Sequence, residues 1–244
     1  LYVLDDDGKE LCVSAEDNFG GFLFRAVRHR IVLLPEEQYA SFFVLLTTRS
    51  FVFSTWIGSI LDTFSRKYFT HFLLTVLLSD YDLLLSFIEV VVGEQMQREN
   101  ESTLFRCDSF CTCCISTVLR MIGRDLAVEE LKNFLSASQP KQEVEIMVAL
   151  KSLSEHLPLL FRAVLSRVVK SVKANCKDHM YNQRRVVSAF FILRFVNPIL
   201  AFWNDGCAEQ SRQMAKTIQL LANQAASLEY KPVRFKFLVL IFDA

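Results

Sequence analysis

Two arginines in this chain stand where a guanidinium could do chemistry. Arg106 follows Leu104-Phe105 and precedes a helix start at Asp108 or Ser109. It therefore reads as the end of a loop whose base two apolar residues anchor while the charge projects. An ordinary solvated arginine is the plainer reading of such a residue. Arg194 lies in Val186-Val-Ser-Ala-Phe-Phe-Ile-Leu-Arg-Phe-Val196, a helix apolar almost all round and so expected to be buried. A guanidinium there cannot lose its charge, and its five donors need acceptors. The stretch holds no carboxylate, which leaves backbone carbonyls of a neighbouring loop, unless the side chain snorkels from the helix end. Lys216, Gln219 and Asn223 fall at i, i+3 and i+7 on one helix face, with Met214, Ile218 and Leu221 elsewhere. Such a polar stripe is either a solvated face or a contact surface.

Other chemistry is missing. No G-x-x-x-x-G-K-[ST], G-x-G-x-x-G, G-x-S-x-G or H-E-x-x-H occurs. With 7 glycines in 244 residues there is no obvious backbone cradle for phosphates, so a nucleotide would have to be held by a partner. Of the 7 cysteines, Cys111 and Cys114 make one C-x-x-C, with Cys107 and Cys113 beside them. Cys12, Cys176, Cys207 and the 4 histidines have no ligand-like spacing, so no zinc site is expected. On a helix Cys107, Cys111 and Cys114 share a face, as small core residues do, and free thiols in this number suit a reducing cytosol.

The elements that must position these residues read as helices. The chain is 52% hydrophobic, with 27 basic and 27 acidic residues, which argues against disorder and against a nucleic-acid protein. Scarce Gly and Pro (7 and 5) suit long helices better than a β-sandwich. The 22 phenylalanines suit either an aromatic core or a groove for a partner. Residues 1–34 form an extended, strand-like lead-in, with a strand expected at Phe22–Val32 and the character of the end of a preceding β domain. Residues 35–244 form the helical domain. Helix-length apolar stretches run from Gln38 to Leu61 and from Phe69 to Val92, and a polar break spans Glu94–Thr103. A helix then begins at Asp108 or Ser109 and ends at Gly123. Further helices cover Val128–Ser136, Gln142–His156, Pro158–Cys176, Gln183–Phe195 (stopped by Asn197-Pro198) and Glu209–Leu228. Arg49 in the middle of Gln38–Leu61 would cost about 2.5–3.5 kcal/mol in a bilayer, so a buried helix is favoured there over a membrane span. The chain reads as a piece of a longer protein.

Three of these segments together resemble one family. Glu101-Ser-Thr-Leu104-Phe105-Arg106 with Ser109 is similar to the finger loop of Ras GTPase-activating proteins. Ile192-Leu193-Arg194-Phe-Val-Asn-Pro198 resembles the family's Phe-Leu-Arg-x-x-x-Pro-Ala signature. Ala215-Lys216-Thr-Ile-Gln219-Leu-Leu-Ala-Asn223 resembles its Ala-Lys-x-x-Gln-x-Leu-Ala-Asn segment, and Val32-Leu-Leu-Pro35 with Tyr39 is similar to how these domains begin. The motifs occur in the family's order between about Pro35 and Lys231. The resemblance implies an all-α, irregular multi-helix domain that stimulates GTP hydrolysis by a Ras-like small GTPase without being an enzyme itself. It implies that Arg106 is an arginine finger and that Arg194 holds the finger loop by its backbone carbonyls. Leu104, Phe105, Leu193, Lys216, Gln219, Asn223 and Lys231 would belong to the GTPase-binding surface. GTP and Mg²⁺ would be held by the GTP-bound partner, and no metal or cofactor by this chain.

The expected setting is a cytoplasmic monomer brought to the inner face of the plasma membrane by regions outside this sequence. Arg162, Arg167, Lys170, Lys173, Lys177, Arg184 and Arg185 stand against the single acid Asp178, a basic region suited to an acidic protein or a peripheral contact with anionic lipid. The sequence departs from the family at Ile192 (for Phe), Ile199 (for Ala), Asp108 (often Asn) and Lys231-Pro232 (for Lys-Glu). These changes bear on affinity and partner choice; the finger and its support are kept. Choice among Ras, R-Ras and Rap types has no motif. The rival reading is a helical module that binds a small GTPase, or scaffolds other proteins, without catalysis. Such a relative would be expected to lack Arg106 or Arg194.

Overall fold

Helix breaks, and the side chains that seal them, set the architecture. In the computed structural model the described residues are 2–4, 10–12, 36–99, 104–105, 107–135, 143–175, 186–201 and 212–220. The chain divides into two compact units, Leu1–Val44 and Leu45–Ala244. The division falls inside the first helix, whereas the sequence reading placed it after residue 34.

The first unit holds a two-stranded antiparallel hairpin, β1 (Tyr2–Leu4) with β2 (Glu10–Cys12), in the register Tyr2↔Cys12, Val3↔Leu11 and Leu4↔Glu10. The strand expected at Phe22–Val32 lies outside the described residues. Helix α1 (Glu36–Ile60) starts directly after Pro35, where proline and acids favour a first turn.

The described residues of the larger unit are all-α. This unit contains the rest of α1, then α2 (Thr63–Leu77), α3 (Tyr81–Arg98), α4 (Phe110–Leu135), α5 (Glu143–His156) and α6 (Leu159–Asn175). A π-helix, α7 (Ser188–Val196), leads straight into α8 (Asn197–Ala201), and residues 212–220 form α9. Helix α4 is central: α2, α3, α5, α6, α7 and α8 all pack on it, and α3 packs on α6. The core is aromatic. Phe51 meets Phe87 (ring centroids 5.2 Å apart), Phe87 meets Phe110 (6.2 Å), and Phe161 meets Phe195 (4.8 Å) and Phe191 (6.3 Å). Each such pair adds roughly 0.5–1.5 kcal/mol to the burial of its area.

Among the described residues no single helix is long and apolar enough to cross a membrane, although the broken pair 37–48 and 50–60 has the length and composition for it. The break is sharp, because Ser50 and Phe51 both have left-handed backbone (φ 55° and 62°). The Ser54 hydroxyl donates to the Leu46 carbonyl (2.7 Å), bonding the two sides of the break together. Past the break, Phe51, Ser54 and Thr55 are buried.

Several boundaries differ from the sequence reading. The apolar stretch Phe69–Val92 is two helices, because Asp80 caps α3 by accepting from the backbone N–H of Asp82 (3.0 Å) and Leu83 (3.1 Å). Helix α3 continues to Arg98, well into the expected polar break. Gly123 does not end a helix, since α4 runs through it to Leu135. A Cβ at Gly123 would lie 2.8 Å from the Phe161 ring and 3.0 Å from that of Phe195, so the missing side chain lets those rings approach. Nor does Asn197-Pro198 stop its helix. The Asn197 N–H donates to the Ile192 carbonyl, five residues back, and Pro198 then falls in the first turn of α8. A missing N–H costs little at that position.

Two expected results follow from these junctions. Asp62 caps α2, accepting from Phe64 N (2.8 Å), Ser65 N (3.0 Å) and the Ser65 hydroxyl (2.9 Å). The bonds from the Ser65 backbone and hydroxyl hold its carboxyl below the ordinary value. A depressed folded pKa stabilises above the unfolded value, about 3.9, and the contribution is lost as pH falls through the folded value. Wild type should therefore exceed Asp62→Ala in urea midpoint at pH 7, and the gap should shrink on going to pH 3.

At Gly58 a Cβ would lie 2.3 Å from the Phe110 ring. Gly58→Ala should cost about 1–3 kcal/mol through overpacking, against a helix-propensity gain of about 1 kcal/mol. The net loss should appear as a lower denaturation midpoint with unchanged slope.

Candidate functional site

Between α3 and α4 the chain makes a turn at Leu104–Phe105, and its backbone is gripped from several elements. Phe105 is the centre of it. Its φ is +59°, a left-handed conformation costly for a bulky residue, so the surroundings must enforce it. They do so in two ways. The ring is buried (1% exposed) and packs on Phe190 of α7, with centroids 5.0 Å apart. The backbone N–H donates to the Glu99 carboxylate (2.9 Å), at the residue that ends α3.

Arg194 completes the hold. It projects from α7, and its Nη2 donates to the carbonyls of Phe105 (3.2 Å) and Cys107 (3.2 Å). The acceptors of this half-buried guanidinium thus include the backbone carbonyls on either side of residue 106 in sequence. Arg106 itself lies outside the described residues. The π-helical winding of α7 bears on this geometry: short π segments recur at functional sites because the extra residue per turn re-aims side chains. Ile192, Phe191 and Phe195 are fully buried, while Leu193 and Arg194 emerge half-buried beside each other.

Helix α4 begins directly beyond the turn with a reciprocal cap. Ser109 N donates to Thr112 Oγ1 (2.9 Å), and Thr112 N donates to Ser109 Oγ (3.2 Å). Arg66 of α2 reaches the same region, its Nη1 donating to the Asp108 carbonyl (3.2 Å). Beside the turn lies a pocket of ≈ 290 Å³, with Arg66, Arg98, Glu94, Glu99 and Asp108 in its wall.

The sequence-predicted residues fall into distinct groups. Leu104 (6% exposed) and Phe105 (1%) have buried side chains and anchor the turn. Arg194 joins them through its bonds to the Phe105 and Cys107 carbonyls, and Leu193 beside it is half-buried against the core. Lys216 and Gln219 lie on the exposed face of α9 while Met214 and Ile218 are buried, and among the described residues no hydrogen bond links either to the turn. Asn223 and Lys231 lie outside the described residues, as does Leu221.

Cys111 and Cys114 are buried, as expected of small core residues, but Cys107 is exposed. Burial pushes the Cys111 and Cys114 thiols far above their ordinary range, so both stay protonated. Among the described residues no group of His, Cys, Asp and Glu could hold a metal. In the basic region, Arg162 donates to the carbonyls of Leu157 (3.1 Å) and Glu155 (2.5 Å). Arg167 pairs with Glu89 of α3 (3.3 Å), and Lys170 and Lys173 are exposed.

Two residues of the site carried no signal in the sequence. Glu99 sat unremarked in a polar run, and Arg66 contacts a carbonyl 42 positions away, which no local spacing reveals. No protein-family model matches the chain, and no curated protein matches it.

Proposed function

We propose that this chain is a GTPase activator that supplies Arg106 in trans to the active site of a GTP-bound, Ras-like small GTPase. One observation carries the reading: Arg194 binds the carbonyls of Phe105 and Cys107, the two residues that flank Arg106. A loop that presents a charge to a partner's phosphates must be rigid before the partner arrives, because ordering it afterwards would draw on binding energy. The strained, buried Phe105 and its bonds to Glu99 and Arg194 supply that rigidity. The location agrees with where the motif resemblance places a finger and its support.

In this reading the partner holds GTP and Mg²⁺, the phosphate-binding loop and the glutamine that orients water. As hydrolysis proceeds, negative charge moves toward the β–γ bridge and the transferring group. A guanidinium placed there stabilises that charge more in the transition state than in the ground state. Leu193 and the exposed Lys216 and Gln219 would meet the partner's switch regions, joined by Asn223 and Lys231. Leu104 and Phe105 serve the loop from inside. The activator works as a cytoplasmic monomer, recruited to the membrane by regions beyond this sequence.

The test is single-turnover GTP hydrolysis on purified Ras, R-Ras and Rap, with wild type compared with Arg106→Ala. Acceleration of at least one of them that depends on Arg106 is expected. If wild type accelerates none, the activator reading fails, and a pull-down with GTP-loaded GTPases then decides whether the chain binds without catalysis.

A further inference from the structure

We infer that Arg66 is a second positioning residue for the loop that carries Arg106, gripping it from α2 as Arg194 does from α7. All three donor groups of its guanidinium are directed at backbone. Nε donates to the Gly58 carbonyl (3.1 Å), Nη2 to the Leu61 carbonyl (2.8 Å) and Nη1 to the Asp108 carbonyl (3.2 Å). Gly58 lies in the C-terminal turn of α1, where the last carbonyls have no partner within the helix, and Leu61 directly follows that helix. The third lies two residues beyond Arg106. With Arg194 on Phe105 and Cys107, the carbonyls of residues 105, 107 and 108 are bound by two arginines from different parts of the fold.

The two grips constrain different motions. Arg194 alone would let the segment pivot about the Phe105–Cys107 edge. Tethering Asp108 to α1 and α2 removes that freedom. The same region is packed as well as bonded, since Phe110, the first residue of α4, lies against Gly58, whose carbonyl Arg66 also holds. Bonds to the carbonyls of residues 105, 107 and 108 restrain the backbone at three points, and restraint of that kind is the condition under which a charge acts without reorganisation.

The role in activation rests on the proposed function, whereas the grip on the loop does not, so the experiment reads both. Arg66→Gln and Arg66→Lys are compared with wild type by amide hydrogen exchange of the 104–112 segment and by stimulated GTP hydrolysis at varied activator concentration. In Arg66→Gln, exchange in 106–109 is expected to rise about tenfold while that in α6 stays unchanged. The maximal stimulated rate should fall about tenfold with half-saturation held within about twofold, and Arg66→Lys should recover part of both. Unchanged exchange at 106–109 overturns the grip itself. Faster exchange with a loss confined to half-saturation makes Arg66 a contact for the partner and overturns the positioning role. Faster exchange spread over α6 marks general destabilisation and also overturns it, with Arg66→Lys, which keeps the charge, as the variant to judge by if Arg66→Gln fails to fold. A wild type that stimulates no GTPase defeats the activator reading, and the exchange result still decides whether Arg66 holds the loop.

Discussion

Arg106→Ala is expected to remove nearly all stimulated GTP hydrolysis while leaving the affinity for the GTP-bound GTPase within a few-fold of wild type. A trans-acting finger in the Ras activators, the system from which the figure comes, is worth about 10³–10⁵ in kcat, and the same order is expected here. If Arg106 acts as proposed, the loss should fall on the maximal rate, because the guanidinium would meet charge that exists only as the γ-phosphoryl departs. Arg106→Lys should recover little. An ammonium carries the charge but lacks the planar fork that meets two oxygens at once. Single-turnover rates at saturating activator, with half-saturation measured in parallel, separate the two effects. Retention of stimulation within about tenfold of wild type in Arg106→Ala would place the catalytic group elsewhere.

Arg194→Ala is the second large effect. Its Nη2 holds the carbonyls of Phe105 and Cys107 at 3.2 Å each, and without it the left-handed Phe105 loses one of its restraints. A displacement of about 1 Å at a reacting centre costs about 10²-fold, which is the expected fall in maximal stimulated rate. A hydrogen bond to a charged group contributes about 1.5–3 kcal/mol, so a drop in stability of that order is expected in urea titration. The two effects can be told apart. If Arg194 acts through Arg106, the double variant Arg106→Ala/Arg194→Ala hydrolyses no more slowly than Arg106→Ala alone. A further loss in the double variant would show a contribution of Arg194 that bypasses the finger.

How much of this was legible in the sequence depended on the range of the interaction that decided each feature. Helical class, the start of α1 after Pro35 and the α5–α6 boundary near Pro158 follow from local chemistry, and each could be read directly. The need of Arg194 for carbonyl acceptors was also legible, because an apolar helix without carboxylates leaves few alternatives. The misreadings came from tertiary contacts overriding local signals. Gly123 reads as a terminator until Phe161 and Phe195 are known to press on it. Pro198 reads as a stop until the ladder widens at Ile192 to pass it. Asp80 and Glu99 look like ordinary polar residues, yet one caps α3 and the other binds the Phe105 N–H. Arg66 was invisible for the same reason, since its acceptors lie on α1 and at Asp108.

The π-helical form of α7 gives the segment a reserve of length. Relative to an α-helix, Ser188–Val196 accommodates extra chain in the same rise, and Arg194 lies downstream of that surplus. An in-frame loss of a single codon between Ser188 and Leu193 would let the segment relax to ordinary α-helical winding, which turns about 100° per residue, farther than the wider π winding, and so makes up for the residue lost. Arg194 would then keep its direction toward the carbonyls of Phe105 and Cys107. In a plain α-helix the same deletion would turn it away, so the surplus buffers the site against a lesion that substitutions alone would never test.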